Sequence, residues 1–252
     1  MFNQNRYSMF KHSWFYVFFS AAVLVSGCGD DESAPAFPNA PEARPENDNS
    51  GKGVYKGVLI GSSGFVKLNL DNLGNGVISL TLNIDGQNYD LTTEQTYNPE
   101  VGFQGYFRGA VGSGEASIGF WTNATGSEYG FFGVEIPGHP GACLILHKEK
   151  SNQLVRGFAG TYSGTMSGTP YNGIMNFVIA GDSWTALTRT DGETECSELE
   201  GTVDGSTLVC DCDFDGDGTN DINFTGTLSG NTLSGTFSAT DVSGTWSASR
   251  VF

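Results

Sequence analysis

The chain has 252 residues, of which 28 are Asp or Glu and only 12 are Lys or Arg, for a formal net charge of −16. Nucleic acids and anionic lipid headgroups need a basic partner surface, so this balance argues against both as partners. Gly alone contributes 36 residues, and Ser, Thr and Asn are common, a composition typical of a turn-rich secreted β protein.

The first 27 residues have the order of a secretory signal. A polar region with Arg6 and Lys11 precedes the apolar run 14–25, which is too short to span a membrane as a stable helix. The run ends in the residues VSGC, with the cysteine at position 28. This ending resembles the lipobox of bacterial lipoproteins, and the resemblance implies that Cys28 becomes the lipid-bearing N-terminus. The alternative is an ordinary secretory signal, with Cys28 in a disulfide.

The residues after Cys28 indicate where such a lipoprotein would reside. Removal of residues 1–27 takes away two basic residues and no acidic one, leaving a net charge of −18. Gly29 follows the cysteine, whereas inner-membrane retention signals place Asp there, and the acidic residues 30–32 resemble surface-export signals. We therefore expect the outer membrane, with exposure at the cell surface as the finer hypothesis. Residues 28–52 are rich in Pro, Asn and acid, which predicts a disordered tether.

From residue 53 onward the pattern predicts an all-β, antiparallel meander. Apolar residues alternate with polar ones over 77–84, and Asp85-Gly86 follows as a hairpin turn. Pairing outward from the other turns places large rings opposite glycines, as in a strongly curved sheet or small barrel with a filled interior. The predicted pairs are Leu228–Leu233, Gly226–Gly235 and Phe224–Phe237 around a turn at 230–231, Phe237–Gly244 and Gly235–Trp246 around a turn at 240–241, and Phe107–Ile118 and Gly105–Phe120 around a turn at 112–113.

The two halves of this region are similar. Each contains about eight strand-like runs, and the motif GVYKG at 53–57 resembles GTYSG at 160–164. We predict two barrel- or sandwich-like units, 53–155 and 156–252. One larger β-barrel or sandwich is the alternative.

Four cysteines remain beyond Cys28, and an even number in an oxidising envelope predicts two disulfides. A turn at 204–205 would bring Cys196 near Cys210 and Cys212, which predicts one local bridge. Cys143 would then tie the first half to the second. No CxxC pair or nearby histidine favours a thiolate metal site instead.

The stretch DFDGDGTND at 213–221 is a candidate metal loop. It offers carboxylates from Asp213, Asp215, Asp217 and Asp221 and resembles the DxDxDGxxD loops of dockerins and thrombospondin type 3 repeats. The resemblance implies Ca²⁺, which prefers several oxygen ligands. Position 12 of the loop is Phe224 rather than the usual Glu, so we expect a structural site rather than a sensor. A solvated acidic turn is the alternative.

A candidate binding surface lies in the first half. If Phe107 and Phe120 face inward, their neighbours face outward and could stack on a sugar or peptide. The simpler interpretation, which the sequence favours, is that these aromatic residues form the contact with the second unit. The predicted set is Tyr106, Arg108 and Trp121, which Tyr129 and Phe131 could join.

No GxSxG, HExxH or phosphate-binding motif is present, and beyond residue 27 the only histidines are His139 and His147. The leading hypothesis is therefore a non-catalytic, surface binding or adhesion module, for glycan or a surface protein. A lipocalin-like carrier of a small apolar ligand is the first alternative. A hydrolase with carboxylates around His139 or the acidic loop is the second.

Overall fold

Alternating apolar residues build sixteen β-strands in the computed structural model, which describes residues 38–61, 64–210, 212–213 and 219–252. The strands form two antiparallel sheets of eight, one of them a closed barrel and the other nearly closed. The prediction of an all-β protein with two barrel-like units is confirmed. Among the described residues, no helix has the length and apolar character needed to cross a membrane.

The first sheet is a meander in which only the last strand leaves chain order. It runs β7-β6-β5-β4-β3-β2-β1-β8, so β7 and β8 are its two edges. The backbone N–H of Lys148 in β8 donates to the Tyr129 hydroxyl of β7 at 3.2 Å, bridging these edges. The strands are β1 (Gly53–Ile60), β2 (Phe65–Leu70), β3 (Ile78–Ile84), β4 (Gln87–Thr92), β5 (Gly102–Val111), β6 (Gly114–Asn123), β7 (Tyr129–Glu135) and β8 (Cys143–Lys148).

The second sheet closes on itself because its first strand pairs with both its second and its last. The order is β10-β11-β12-β13-β14-β15-β16-β9. The strands are β9 (Val155–Met166), β10 (Thr169–Ala180), β11 (Ser183–Thr190), β12 (Ser197–Asp204), β13 (Thr207–Cys210), β14 (Asn223–Ser229), β15 (Thr232–Ser238) and β16 (Val242–Arg250).

The seven residue pairs predicted around the three turns are all present in the structure. Phe224 lies opposite Phe237, Gly235 opposite Trp246, and Gly105 opposite Phe120. The prediction succeeds because each pair depends only on a short turn and on strict alternation along the two strands that it joins.

The barrel interior is filled in one half and open in the other. Phe224 stacks on Trp246 with ring centroids 4.9 Å apart and on Trp184 at 5.3 Å, and Phe177 packs against the same group. The other half contains a cavity of about 410 Å³ beneath the turns at 167–168 and 239–241, which we call the mouth end. The expectation of a wholly filled interior is therefore wrong for the mouth half, where Tyr162, Tyr171 and Phe237 line the wall and leave space between them.

The two sheets meet through β1. All eight residues of this strand are buried, because one face packs inside the first sheet and the other against the second. Val58 lies in an apolar cluster with Val178 and Phe252 of the barrel, and Asn176 Nδ2 donates to the backbone oxygen of Leu59 at 2.8 Å.

Two disulfides are present, but their pairing differs from the prediction in one respect. Cys143 bonds Cys196, which ties β8 to the loop before β12 and confirms that Cys143 joins the two halves. The predicted bridge from Cys196 to Cys210 or Cys212 is wrong, because Cys210 bonds Cys212. The register places Cys210 opposite Gly201, five residues from Cys196. That is about 17 Å along a strand, well beyond disulfide reach.

The C-terminal part of the predicted tether is folded in the structure. Residues 45–47 form a short 3-10 helix, and Ala43 and Asn47 are buried. Lys148 Nζ donates to the backbone oxygen of Asn47 at 2.6 Å, and Ser151 donates to the Asp48 carboxylate from both N and Oγ. Composition alone does not reveal this packing, because its partners lie about a hundred residues away.

Glu149 connects this segment to both sheets. Its side chain is fully buried, with one oxygen 2.8 Å from Lys56 Nζ and accepting from the Val155 backbone N–H at 3.3 Å. The other oxygen accepts from the backbone N–H groups of Glu42 at 2.7 Å and Ala43 at 3.3 Å. The carboxylate thus joins the N-terminal segment, β1 and the start of β9.

Glu42 completes this cluster. Burial alone would raise the pKa of its carboxyl, but hydrogen bonds from Lys67 and Lys56 outweigh burial and hold the pKa below its usual value. Its carboxylate lies 3.0 Å from Lys56 Nζ, so this lysine bridges two acids.

We expect Glu149→Gln to lower the free energy of unfolding by about 3–5 kcal/mol, because it leaves Lys56 buried without its main counter-charge. Urea denaturation followed by circular dichroism measures this change. The control is Glu46→Gln, which removes an exposed pair with Arg44 (3.2 Å) and should change stability by less than about 1 kcal/mol. Equal effects of the two substitutions would contradict the assigned role.

Candidate functional site

The outer face of β5, β6 and β7 carries an exposed group of aromatic side chains. Tyr106 pairs with Gly119, which pairs with Phe132 of the next strand, so all three share one face. Trp121 lies on the same face beside Gly130. Tyr106 is 41% exposed and Trp121 is 38% exposed. We call Tyr106, Trp121 and Phe132 the aromatic platform.

Glycines beneath the platform allow its rings to lie against the sheet. A β-carbon at Gly119 would collide with the Phe132 ring, and one at Gly130 would lie 3.2 Å from Trp121 Nε1. The Phe132 ring also meets the Tyr106 ring edge-on, with centroids 5.0 Å apart. The platform is therefore held in place by contacts along the sheet surface.

Polar groups border the platform. The Arg108 guanidinium carbon lies 5.7 Å from the Tyr106 ring centroid, a cation–π contact. A surface groove of about 690 Å³ runs beside Trp121 and Phe132, with hydrogen-bonding side chains from Thr96, Asn98 and Gln104. Rings with adjacent hydroxyl and amide groups can stack on a flat ligand and hydrogen-bond its edge.

The platform is not the contact between the two sheets. That contact is formed by β1 and β8 with β9, β10 and β11, on a different part of the first sheet. The simpler interpretation of these aromatic residues, as the contact with the second unit, is therefore wrong for Tyr106 and Trp121.

Two residues of the predicted surface belong elsewhere. Tyr129 and Phe131 pack against the core of the first sheet, Tyr129 on Tyr55 at 5.2 Å and Phe131 on Phe120 at 5.8 Å between ring centroids. The residue that the sequence interpretation missed is Phe132. Alternation from Gly130, which pairs with outward-facing Trp121, could have assigned it to the outer face.

The acidic loop is only partly described. Asp215 and Asp217 lie outside the described residues, whereas Asp213 and Asp221 lie within them. Asp221 N donates to the backbone oxygen of Cys212 at 2.8 Å, and Cys212 N donates to Asn220 Oδ1 at 3.3 Å. These bonds close the base of the loop beside the Cys210–Cys212 disulfide. In the described part of the chain, no group of three or more His, Cys, Asp or Glu side chains could hold a metal ion.

His139 and His147 make structural contacts. His139 Nδ1 lies 2.7 Å from the backbone oxygen of Gly61, which holds the turn at 137–142 against the end of β1. His147 Nε2 lies 2.9 Å from Thr185 Oγ1 across the contact between the sheets, and burial lowers the pKa of its imidazole. The Glu115 and Glu135 carboxylates border the surface groove that contains His139.

No protein-family model matches the chain, and comparisons with curated proteins and with solved structures give no significant match.

Proposed function

We propose that the protein is a lipid-anchored, non-catalytic binding or adhesion module of the bacterial cell envelope, with the aromatic platform as its glycan-binding surface. The observation that supports this proposal is that Tyr106 and Trp121 stay exposed on a rigid sheet while the contact between the sheets lies elsewhere. Adjacent exposed rings with a polar border commonly mark a surface for a ligand or partner.

The chemistry of the platform favours a neutral glycan. Pyranose rings present apolar C–H faces that stack on Trp and Tyr, and their hydroxyls can bond to Asn98 and Gln104 at the groove. The strongly negative chain would repel polyanionic glycans at longer range. A surface protein with an exposed apolar patch is the second class of partner that this face suits.

The proposed anchor is the lipid on Cys28, and the proposed location is the outer membrane, with exposure at the cell surface. Several acyl chains on one residue give stable membrane attachment, whereas a single chain does not. Cys28 lies outside the described residues, so this part of the proposal is supported by the order of the signal regions alone.

A structural calcium ion in the 213–221 loop is also part of the proposal. The hydrogen bonds that Cys212 makes with Asp221 and Asn220 bring the two ends of the loop together, as a loop that wraps one cation requires. Asp213, Asp215, Asp217 and Asp221 would hold the ion, with backbone oxygens or water in the remaining positions. Its role would be to hold the loop between β13 and β14.

For the platform, we expect Trp121→Ala to weaken glycan binding by at least about tenfold, because a central aromatic contact commonly contributes more than about 1.4 kcal/mol. Affinity electrophoresis against a panel of neutral polysaccharides identifies a ligand, and titration calorimetry measures the change. Val209→Ala removes an apolar side chain of similar exposure (47%) from the second sheet and should leave affinity unchanged. If neither the parent chain nor the control binds any member of the panel, the glycan proposal fails.

For the loop, we expect calcium to raise the melting temperature. At a free concentration of about 100 times Kd, binding to the folded state alone adds about 2.7 kcal/mol. The combined variant Asp215→Asn/Asp217→Asn should lose this increase, whereas Asp204→Asn, in the hairpin at the other end of the barrel, should retain it. If calcium leaves the melting temperature of the parent chain unchanged, the proposal of a calcium site in this loop fails. Glycan binding should persist in EGTA, because the platform lies on the other sheet.

For the anchor, we expect Cys28→Ser to abolish incorporation of labelled palmitate in a bacterial host and to release the protein from the membrane fraction. Cys143→Ser should keep the label, because that cysteine lies in a disulfide of the folded part. Equal labelling of Cys28→Ser and the parent chain would refute the lipobox assignment.

A further inference from the structure

The closed barrel contains a second candidate site, separate from the platform. Its cavity of about 410 Å³ lies inside the barrel at the mouth end. The stacked rings of Phe224, Trp246 and Trp184 fill the barrel below it, so the cavity is closed at its inner end. For comparison, an engineered apolar cavity of on the order of 150 Å³ is enough to bind benzene.

The wall of the cavity is mainly aromatic and aliphatic. Tyr162 and Tyr171 have ring centroids 5.2 Å apart, and the Phe237 ring meets Tyr162 at 5.8 Å with an interplanar angle of 89°. Met175, Leu199, Ile222 and Val242 add aliphatic side chains to the lining. Water in such a space makes few hydrogen bonds, so an apolar ligand of two or three fused rings would replace it favourably.

The polar side chains of the wall are few and carry hydroxyl oxygens. Thr188 and Ser197 line one side, and the Tyr162 hydroxyl donates to Thr190 at 2.9 Å. A ligand that lies among these oxygens can donate hydrogen bonds to them.

Negative charge surrounds the mouth. Glu193 and Asp191 lie in the turn between β11 and β12, and Asp241 lies in the turn between β15 and β16. Arg189, the basic residue of β11, is directed away and donates to the backbone oxygen of Gly141 at 3.2 Å. The mouth therefore repels carboxylates and sulfonates and admits neutral or cationic molecules.

We propose that the barrel cavity binds a small, flat, apolar molecule of neutral or positive charge, such as an aromatic amine. The amine or hydroxyl end would face Thr188 and Ser197, and the rings would pack against Tyr162, Tyr171 and Phe237. This site is independent of the glycan-binding surface, and either can exist without the other.

Two dyes with the same ring system test both shape and charge. N-phenyl-1-naphthylamine is neutral, whereas 1-anilinonaphthalene-8-sulfonate adds one sulfonate to it. With the full mature protein, the neutral dye should give a saturable rise in fluorescence at about one dye per chain. The sulfonate should bind at least about tenfold more weakly, because the acidic mouth repels it.

Paired substitutions locate the binding. Val242→Trp places a large ring at the mouth and should abolish the signal of the neutral dye. Val209→Trp makes the same replacement on the outside of the barrel and should leave the signal unchanged, as should Trp121→Ala on the platform. Glu193→Gln should strengthen binding of the sulfonate relative to the neutral dye, and this readout does not depend on Val242→Trp folding.

The inference is overturned if the neutral dye does not bind, or if a folded Val242→Trp binds it as the parent chain does. Equal affinity for the two dyes overturns the charge selectivity. Loss of dye binding in Trp121→Ala would assign the signal to the platform instead.

Discussion

The buried carboxylate of Glu149 is the interaction on which the arrangement of the molecule depends. It forms an ion pair with the Lys56 ammonium, which lies in a strand whose residues are all buried. It also accepts hydrogen bonds from backbone N–H groups of the N-terminal segment and of β9. Burying two charges is favourable only when such hydrogen bonds accompany the pair. Because these bonds come from three parts of the chain, the pair fixes where the second sheet starts relative to the first.

A single packing device, a ring laid on glycine, serves two purposes in this protein. Inside the barrel, Trp246 lies against Gly226 and Gly235, which lets the strands curve around a large side chain. On the outer face of the first sheet, Phe132 lies against Gly119, and the same geometry leaves flat rings facing solvent. The first use stabilises a core, whereas the second leaves the Tyr106 and Trp121 rings exposed on the outer face.

The fold could be predicted from the sequence largely because its strands pair with chain neighbours. The hairpin registers around Phe224–Phe237 and Gly105–Phe120 depend on turns and alternation, both of which are local. The Cys196 pairing, the packing of residues 38–52 and the open half of the barrel depend on contacts between distant segments, which no local pattern encodes. The site falls between these cases, because Tyr106 and Trp121 followed from alternation whereas Phe132 needed the register across β6 and β7.

The hydrogen bond from Arg250 Nη2 to the backbone oxygen of Pro38, at 2.6 Å, fixes where the described N-terminal segment meets the barrel. Arg250 ends β16 at the opposite end of the barrel from the mouth. Because Pro38 is held at that end, the N-terminal segment leaves the acidic opening of the barrel uncovered.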